Sequence, residues 1–404
     1  MSRFSIILLA LAPLVTLIAS LPISDVGTQP GHSPRSYIIQ FKEDVNVAAH
    51  AEWVRSVHVR NLAKRSKVAL GYDGVKTIFR QLNGYIGEFD DLTIEEIKAH
   101  PDANGIFEPF QFPSGSVSSL RDPVTQPNAT WGLSLISHRD TGATDYIYDA
   151  SAGEGHYAYV LDSGINVEHV DFGGRASLGY NALKAQEHVD DTGHGTHVAG
   201  TIGSTTYGVA KRCNLISVKI SNATNWSFSN LLDGMDWALD DMITSNRTEK
   251  SVVNVSGGGP TSTAVNNAVL AAYRKGMTLV AAAGNGNRVS TWISPAGANG
   301  AIAVASVDRE RRRAALSNYG PVISVFAPGE DTLSTWIGSD QATHITNGTS
   351  MAAPHVAGVA LYLQRLEGLT TPDALKARLE ELSIKDVVQD SQNSPNRLLY
   401  TGAA

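Results

Sequence analysis

A chain of 404 residues, 42% of them hydrophobic, is long enough for about two to three domains and for a sizeable buried core. Its net charge of -7 is mild and gives no electrostatic ground for nucleic acid or an anionic membrane as partner. Cys213 is the only cysteine, which excludes an intramolecular disulfide and a cysteine-based metal site.

At the N-terminus Arg3 precedes an apolar run over 6–18, closed by Ala19 and Ser20. That basic, apolar, small-residue layout is a secretory signal, so residues 1–20 are expected to be removed near Ser20. The run is shorter than the ~20 apolar residues of a membrane span, and no later segment reaches that length. Next, 36–42 carries Tyr37, Ile38, Ile39 and Phe41 in a β-favouring run. A helix is expected over 47–62 and a second strand over 85–89. Thr93-Ile94-Glu95-Glu96 has the spacing of a capping box and should open a short helix. With Ile106-Phe107-Glu108-Pro109 closing it, this βαβ-like series predicts a small α+β domain. Residues 113–127 are rich in Ser, Pro, Gly and Thr without hydrophobic periodicity, which reads as an exposed linker.

From Trp131 onward the pattern changes. Short apolar runs at 157–161, 215–220, 251–255, 277–283 and 301–304 each fit a strand buried on both faces. Helical stretches at 231–243 and 265–273 lie between them. The alternation predicts an α/β fold, a parallel sheet covered by helices on both faces. Sites in such folds form at the carboxyl ends of the strands. Cys213, at the start of one run, reads as a small space-filling residue. The basic run 309–313 reads as a solvated loop.

Three segments carry chemistry. Leu161-Asp162-Ser163-Gly164 sets a carboxylate at the end of a buried strand. Gly193-His194-Gly195-Thr196-His197-Val198-Ala199-Gly200 offers an imidazole, and Asn347-Gly348-Thr349-Ser350-Met351-Ala352-Ala353-Pro354-His355 offers a hydroxyl. A serine needs a base to take its proton, and the base needs a carboxylate to fix its tautomer. Singly, the three read as a turn, a structural loop and a helix cap. Together they supply the roles of a hydrolase site. His188, His194 and His197 lie close enough in sequence to suggest a metal, but no His-Glu-x-x-His helix is present. A lipase would need Gly-x-Ser-x-Gly and another chain order.

The three segments resemble the Asp, His and Ser boxes of the subtilisin-like serine peptidases, in that family's chain order. The similarity is greatest to the proteinase K branch, which includes secreted fungal alkaline proteases. It spans about Trp131 to Tyr400. The small domain resembles that family's inhibitory propeptide. The resemblance implies a subtilisin-like α/β fold with domains 1–20 (signal), 21–121 (inhibitor and folding aid) and 122–404 (peptidase). Asp162 would orient His194, His194 would act as general base and then acid, and Ser350 would be the nucleophile. Ser350 would open a helix running to about Arg365, with Pro354 in its first turn.

Ala281-Ala282-Ala283-Gly284-Asn285 resembles the strand ending in the family's oxyanion-hole asparagine, so Asn285 and the Ser350 N–H would be the two donors. Asn254-Val255-Ser256-Gly257-Gly258-Gly259-Pro260 resembles the edge that pairs with extended substrate. Ser256, Gly257, Gly258, Ala282, Ala283 and Gly284 are therefore the expected substrate contacts, around an open, apolar pocket.

The sequence departs from the family at two places. Asn222-Ala223-Thr224-Asn225-Trp226-Ser227 follows Val218-Lys219-Ile220, so Trp226 either narrows the outer subsites or only covers the surface. Ser324 falls where the family's calcium-binding carboxylate would stand, which weakens any structural calcium site. The chemistry itself requires no cofactor. Sequons occur at Asn128, Asn222, Asn225, Asn246, Asn254 and Asn347, of which Asn222, Asn225 and Asn246 are the expected surface acceptors. The expectation is a secreted, monomeric endopeptidase of broad apolar preference. It would be made as a zymogen that cuts itself near Arg121 and would act on polypeptides at neutral to alkaline pH. The alternative is a catalytically silent homologue acting as a binding protein.

Overall fold

The computed structural model describes residues 35–41, 45–63, 74–79, 84–107 and 122–403. The expected signal, the Arg121 processing point and residues 113–121 of the expected linker lie outside them. The chain forms two units, Met1–Pro109 and Phe110–Ala404.

In the first unit β1 (Arg35–Phe41), α1 (Val47–Ala63), β2 (Val75–Phe79), β3 (Gly84–Phe89), α2 (Asp91–Lys98) and β4 (Ala103–Phe107) follow in order. The sheet runs β2-β3-β1-β4 with every pair antiparallel. Alternate residues Tyr37, Ile39 and Phe41 of β1 enter one core with Ala51 and Val54 of α1 and Ile94 and Ile97 of α2. The cap of α2 differs from expectation. Asp90, not Thr93, is the N-cap: its carboxylate accepts from the Thr93 backbone N–H and hydroxyl. A carboxylate accepts two donors at once, and the Asp lies three residues earlier, so Thr93 sits inside the first turn.

The second unit begins with β5 (Pro123–Gln126), α3 (Trp131–Ser137), β6 (Tyr146–Asp149), β7 (Tyr157–Asp162), β8 (Ala176–Asn181), α4 (His194–Gly203) and β9 (Asn214–Lys219). It continues through α5 (Phe228–Thr244), β10 (Ser251–Val255), β11 (Gly259–Pro260), α6 (Thr263–Arg274), β12 (Thr278–Ala282), β13 (Ile293–Ser294), β14 (Ala301–Val307) and β15 (Ile323–Pro328). It ends with β16 (Thr332–Thr335), β17 (Thr343–Thr346), α7 (Thr349–Glu367), α8 (Pro372–Leu382), β18 (Ile384–Lys385) and β19 (Arg397–Leu398). The main sheet has nine strands in the order β18-β19-β15-β14-β12-β10-β7-β9-β8. Its central pairs are parallel.

Every residue of β10, β12 and β14 is buried, because side chains alternate into two cores. Val252, Val280 and Val304 join α4, α7 and α8 on one face. Val253, Leu279 and Ala303 join α5 and α6 on the other. The sheet with helices on both faces is as expected.

Two readings need correction. Pro123–Gln126, placed in the linker, is a strand antiparallel to Tyr146–Asp149. Its partner lies beyond a helix, so local composition could not show the pairing. The basic run is also not uniformly solvated. Arg313 is buried and donates to Asn287, Ser317 and Asp390, while Arg309 stacks on Trp131. Cys213 is buried, and burial pushes its thiol up to about 12, as befits a space-filling residue.

Leu361 of α7 is fully buried among the sheet residues of the first face. Leu361→Ala should destabilise the unit by about 2–5 kcal/mol. A urea titration checks this, with a lowered midpoint at unchanged slope.

Candidate active site

Strands β7, β10 and β12 lie side by side and end at one edge of the sheet. Asp162 is the last residue of β7, Ser256 follows β10, and Asn285 comes three residues after β12. Helices α4 and α7 pack together on one face, and their first turns bring His194 and Ser350 to the same edge.

His194 Nδ1 lies 2.7 Å from Asp162 Oδ1, and the Ser163 N–H donates to the same oxygen at 2.7 Å. This fixes the tautomer with the proton on Nδ1 and leaves Nε2 as a lone-pair acceptor. Packing around the ring disfavours the imidazolium, but the carboxylates of Asp162 and Asp190 outweigh it and the pKa is raised.

Asp190 is the residue that sequence reasoning missed. Its carboxylate accepts six hydrogen bonds: from Ser163 Oγ, Thr192 N and Oγ1, Gly193 N, and Thr196 N and Oγ1. It thus joins the residue after Asp162 to the residues on both sides of His194. The signal was present as a carboxylate four residues before His194, but its link to Ser163 crosses 27 positions.

Gly348 precedes α7 with φ 133, a left-handed conformation open to glycine, and a Cβ there would lie 3.1 Å from Asn285 Nδ2. Pro354 is not in the first turn as expected. It is the sixth residue of α7, where its missing N–H orphans the Ser350 carbonyl. Ser256 Oγ fills that vacancy at 2.8 Å, and Asn254 Nδ2 donates to Ser256 Oγ at 2.9 Å. In return, the Ser350 hydroxyl donates to the Ser256 carbonyl at 3.0 Å.

The Asn285 carboxamide is oriented by Thr349, whose N–H and hydroxyl both donate to Oδ1 at 2.9 Å. A backbone N–H can only donate, so the oxygen faces it and Nδ2 remains free to donate. The Ser350 N–H, in the first turn of α7, has no acceptor within its helix. Asn318 braces this loop: its Oδ1 accepts from Gly286 N and Arg288 N, and its Nδ2 donates to the Ala283 carbonyl.

A cavity of about 370 Å³ opens beside Ser350 and Asn285, lined by Gly257, Gly258, Ala282 and Gly284 among others. Two expected contacts do not line it. Ala283 is fully buried in the opposite core, because successive side chains of the strand point to opposite faces. Ser256 is buried and acts on Ser350 itself. Trp226 reaches the cleft wall, since a Cβ on Gly257 would lie 2.7 Å from its ring.

The three histidines of the metal reading separate. His197 is fully buried, bonded to the Thr332 carbonyl, and pushed down to about 4 by burial. His188 pairs with Ser217 Oγ. Among the described residues no group of three or more His, Cys, Asp or Glu could hold a metal. Ser324 is buried beside Asn299, Ala301 and Glu380, but its hydroxyl is neutral and Glu380 is paired with Arg397 at 2.8 Å. That donor set does not fit a strong calcium site, which needs a free anionic oxygen.

A model of the subtilase family matches residues 153–398, and one described as Peptidase inhibitor I9 matches residues 36–108. The chain is 47% identical over 376 residues to alkaline protease 1 of Emericella nidulans, covering 92% of each. It is 48% identical over 378 residues to an alkaline proteinase of Hapsidospora chrysogena, covering 91% of this chain and 92% of that one. A solved cold-adapted subtilisin-like serine proteinase aligns with a TM-score of 0.63 at 37% identity, over 68% of this chain and 98% of that one.

Because Asp190 both braces His194 and raises its pKa, Asp190→Asn should have two effects on peptide hydrolysis. The turnover number should fall through loosened geometry. The acidic limb of the pH–rate profile should move to lower pH, since loss of the negative charge lowers the pKa of His194. A pH profile of kcat/KM checks the sign.

Proposed function

The chain belongs to the subtilase family and is a serine endopeptidase, and on that premise we propose Asp162, His194 and Ser350 as its catalytic triad. The observation that carries this reading is the 2.7 Å contact between His194 Nδ1 and Asp162, which leaves Nε2 free at the sheet edge. On substrate binding the Ser350 hydroxyl turns from the Ser256 carbonyl toward Nε2. Ser350 Oγ attacks the scissile carbonyl carbon while Nε2 takes its proton, and Asp162 stabilises the imidazolium formed.

The negative charge on the substrate oxygen falls between Asn285 Nδ2 and the Ser350 N–H at the start of α7. Such preorganised donors act on charge present only in the transition state. His194 then protonates the leaving amine, and water, deprotonated by His194, hydrolyses the acyl-enzyme on Ser350. A raised pKa of His194 supports a working range at neutral to alkaline pH, where the ring is neutral.

Gly257 and Gly258 follow a fully buried strand and stand at the surface of the cleft, which suits pairing with an extended polypeptide. The wall of Gly257, Gly258, Ala282 and Gly284 gives the side chain before the cut an open pocket with broad apolar acceptance. Trp226, over Gly257, closes the outer part of that wall.

The rest of the reading follows from the family. The protein is secreted after loss of residues 1–20. Residues 21–121 assist folding and inhibit the peptidase unit, which cuts the connection near Arg121 and acts as a monomer. Glycans fall among Asn222, Asn225 and Asn246. Asn225 and Asn246 are exposed, whereas the Asn222 amide is engaged by Gln186 and its own turn. Catalysis uses no cofactor, because nucleophile, base and oxyanion donors are all side-chain or backbone groups.

Ser350→Ala should abolish hydrolysis, labelling by a serine-directed phosphonate and self-maturation together. A variant that still matured unaided would remove Ser350 from the nucleophile's role. Calcium should leave the melting midpoint of the mature protein unchanged relative to chelator. A rise of several degrees would mean that neutral oxygens around Ser324 suffice to hold the ion.

A further inference from the structure

The cavity beside Ser350 is built from uncharged groups with one exception. Gly257, Gly258, Ala282 and Gly284 contribute backbone and methyl surface, and no carboxylate lines it. Arg288 does line it. Several other arginines of this unit are paired: Arg313 holds Asp390, Arg378 holds Glu367, and Arg247 holds Asp241. The Arg288 side chain is exposed and has no hydrogen-bond or ion-pair partner among the described residues.

Its position is constrained although its charge is unpaired. A Cβ on Gly286 would lie 3.2 Å from Arg288 Nε and 3.5 Å from its Cδ, so the side chain lies back across Gly286, next to Asn285. The backbone on either side is pinned, since Asn318 Oδ1 accepts from both Gly286 N and Arg288 N at 3.0 Å. A cation thus stands beside a neutral pocket, on the loop that carries the proposed oxyanion donor. Field lines concentrate in such a cleft, and no anion there cancels them.

We propose that Arg288 sets the charge preference of the pocket for the residue preceding the scissile bond, so that it accepts glutamate and disfavours lysine and arginine. The inference rests on the assignment of Ser350 as nucleophile, which fixes which side chain enters this cavity. It is a local effect opposed to the global one. A chain of net charge -7 should attract basic substrates at long range, so an acidic preference must come from a nearby cation.

The test uses the mature enzyme and four internally quenched peptides that differ only in Glu, Gln, Lys or Leu before one defined bond. The cut position is confirmed by mass spectrometry. Wild type, Arg288→Gln and Arg288→Glu are compared by kcat/KM, normalised within each variant to the Leu peptide so that changes in overall activity cancel. The Glu-to-Lys ratio should fall roughly three- to tenfold in Arg288→Gln, the scale of a partly exposed ion pair. It should fall further in Arg288→Glu, and the difference should shrink at high salt. A ratio unchanged between wild type and Arg288→Gln overturns the proposal, as does cleavage that shifts to place Glu at another subsite. Phosphonate titration of each variant separates the two failures. Labelled, active enzymes with unmoved ratios remove Arg288 alone, whereas an active Ser350→Ala control removes the site reading beneath it.

Discussion

The parallel sheet is covered on both faces, so each backbone N–H and C=O of β7, β10 and β12 must find its partner in the ladder. That requirement locks the three strands in register, and their ends are locked with them. Asp162, Ser256 and the Asn285 loop therefore leave the sheet at neighbouring points along one edge. The elements that bring the other groups cross the same core. Val198 and Ala199 of α4, four and five residues after His194, and Met351 and Ala352 of α7, one and two residues after Ser350, are buried in it. The packing of the two helices in this core is therefore also what brings His194 and Ser350 to the same edge.

The entry to α7 shows how a local defect becomes an organising contact. A proline at the sixth position removes one helical hydrogen bond, and an orphaned buried carbonyl costs about 1–3 kcal/mol unless it is satisfied. Ser256 supplies the donor, and Asn254 behind it sets the direction of the hydroxyl. The strand β10 is thereby tied to Ser350 by side chain and by backbone, since the Ser256 carbonyl also holds the Ser350 hydroxyl. A regular helix would have left Ser350 without this second attachment. Ser256 thus positions Ser350, and the glycines that follow it line the cavity.

What the sequence made legible follows from range. The alternation of buried strands and helices is local, and so are the three boxes, each a run of consecutive residues around one reactive group. The fold class and the groups brought to the sheet edge could both be read from such runs. Connections across sequence could not. Asp190 was visible as an acidic residue before the His box, but its bond to Ser163 spans 27 positions. Asn318 lies 32 positions from Gly286, whose N–H it accepts. Arg313 looked solvated within its basic run because Asp390, its ion-pair partner, is 77 positions away. Ala283 was read with Ala282 as one wall, although the two-residue period sends it into the opposite core. Pairing with Tyr146–Asp149, not composition, makes a strand of Pro123–Gln126.

The charges around His194 complete the argument. Lys219 stands opposite Asp162 in the β7–β9 register and is almost wholly buried, which places a cation one strand from the carboxylate that contacts His194. Left alone, such a charge would disfavour a protonated His194 ring. It is held instead by the Ser163 carbonyl at 2.6 Å and by Asp191 at 3.0 Å, so its field is largely met on its own side. Asp190, next in sequence, turns the other way into the Ser163, Thr192 and Thr196 donors and lies near the ring. Two adjacent aspartates thus divide two tasks, one neutralising a buried lysine and the other bracing and polarising the histidine. At the ring the carboxylates of Asp162 and Asp190 outweigh the cost of burial, and the pKa of His194 is raised.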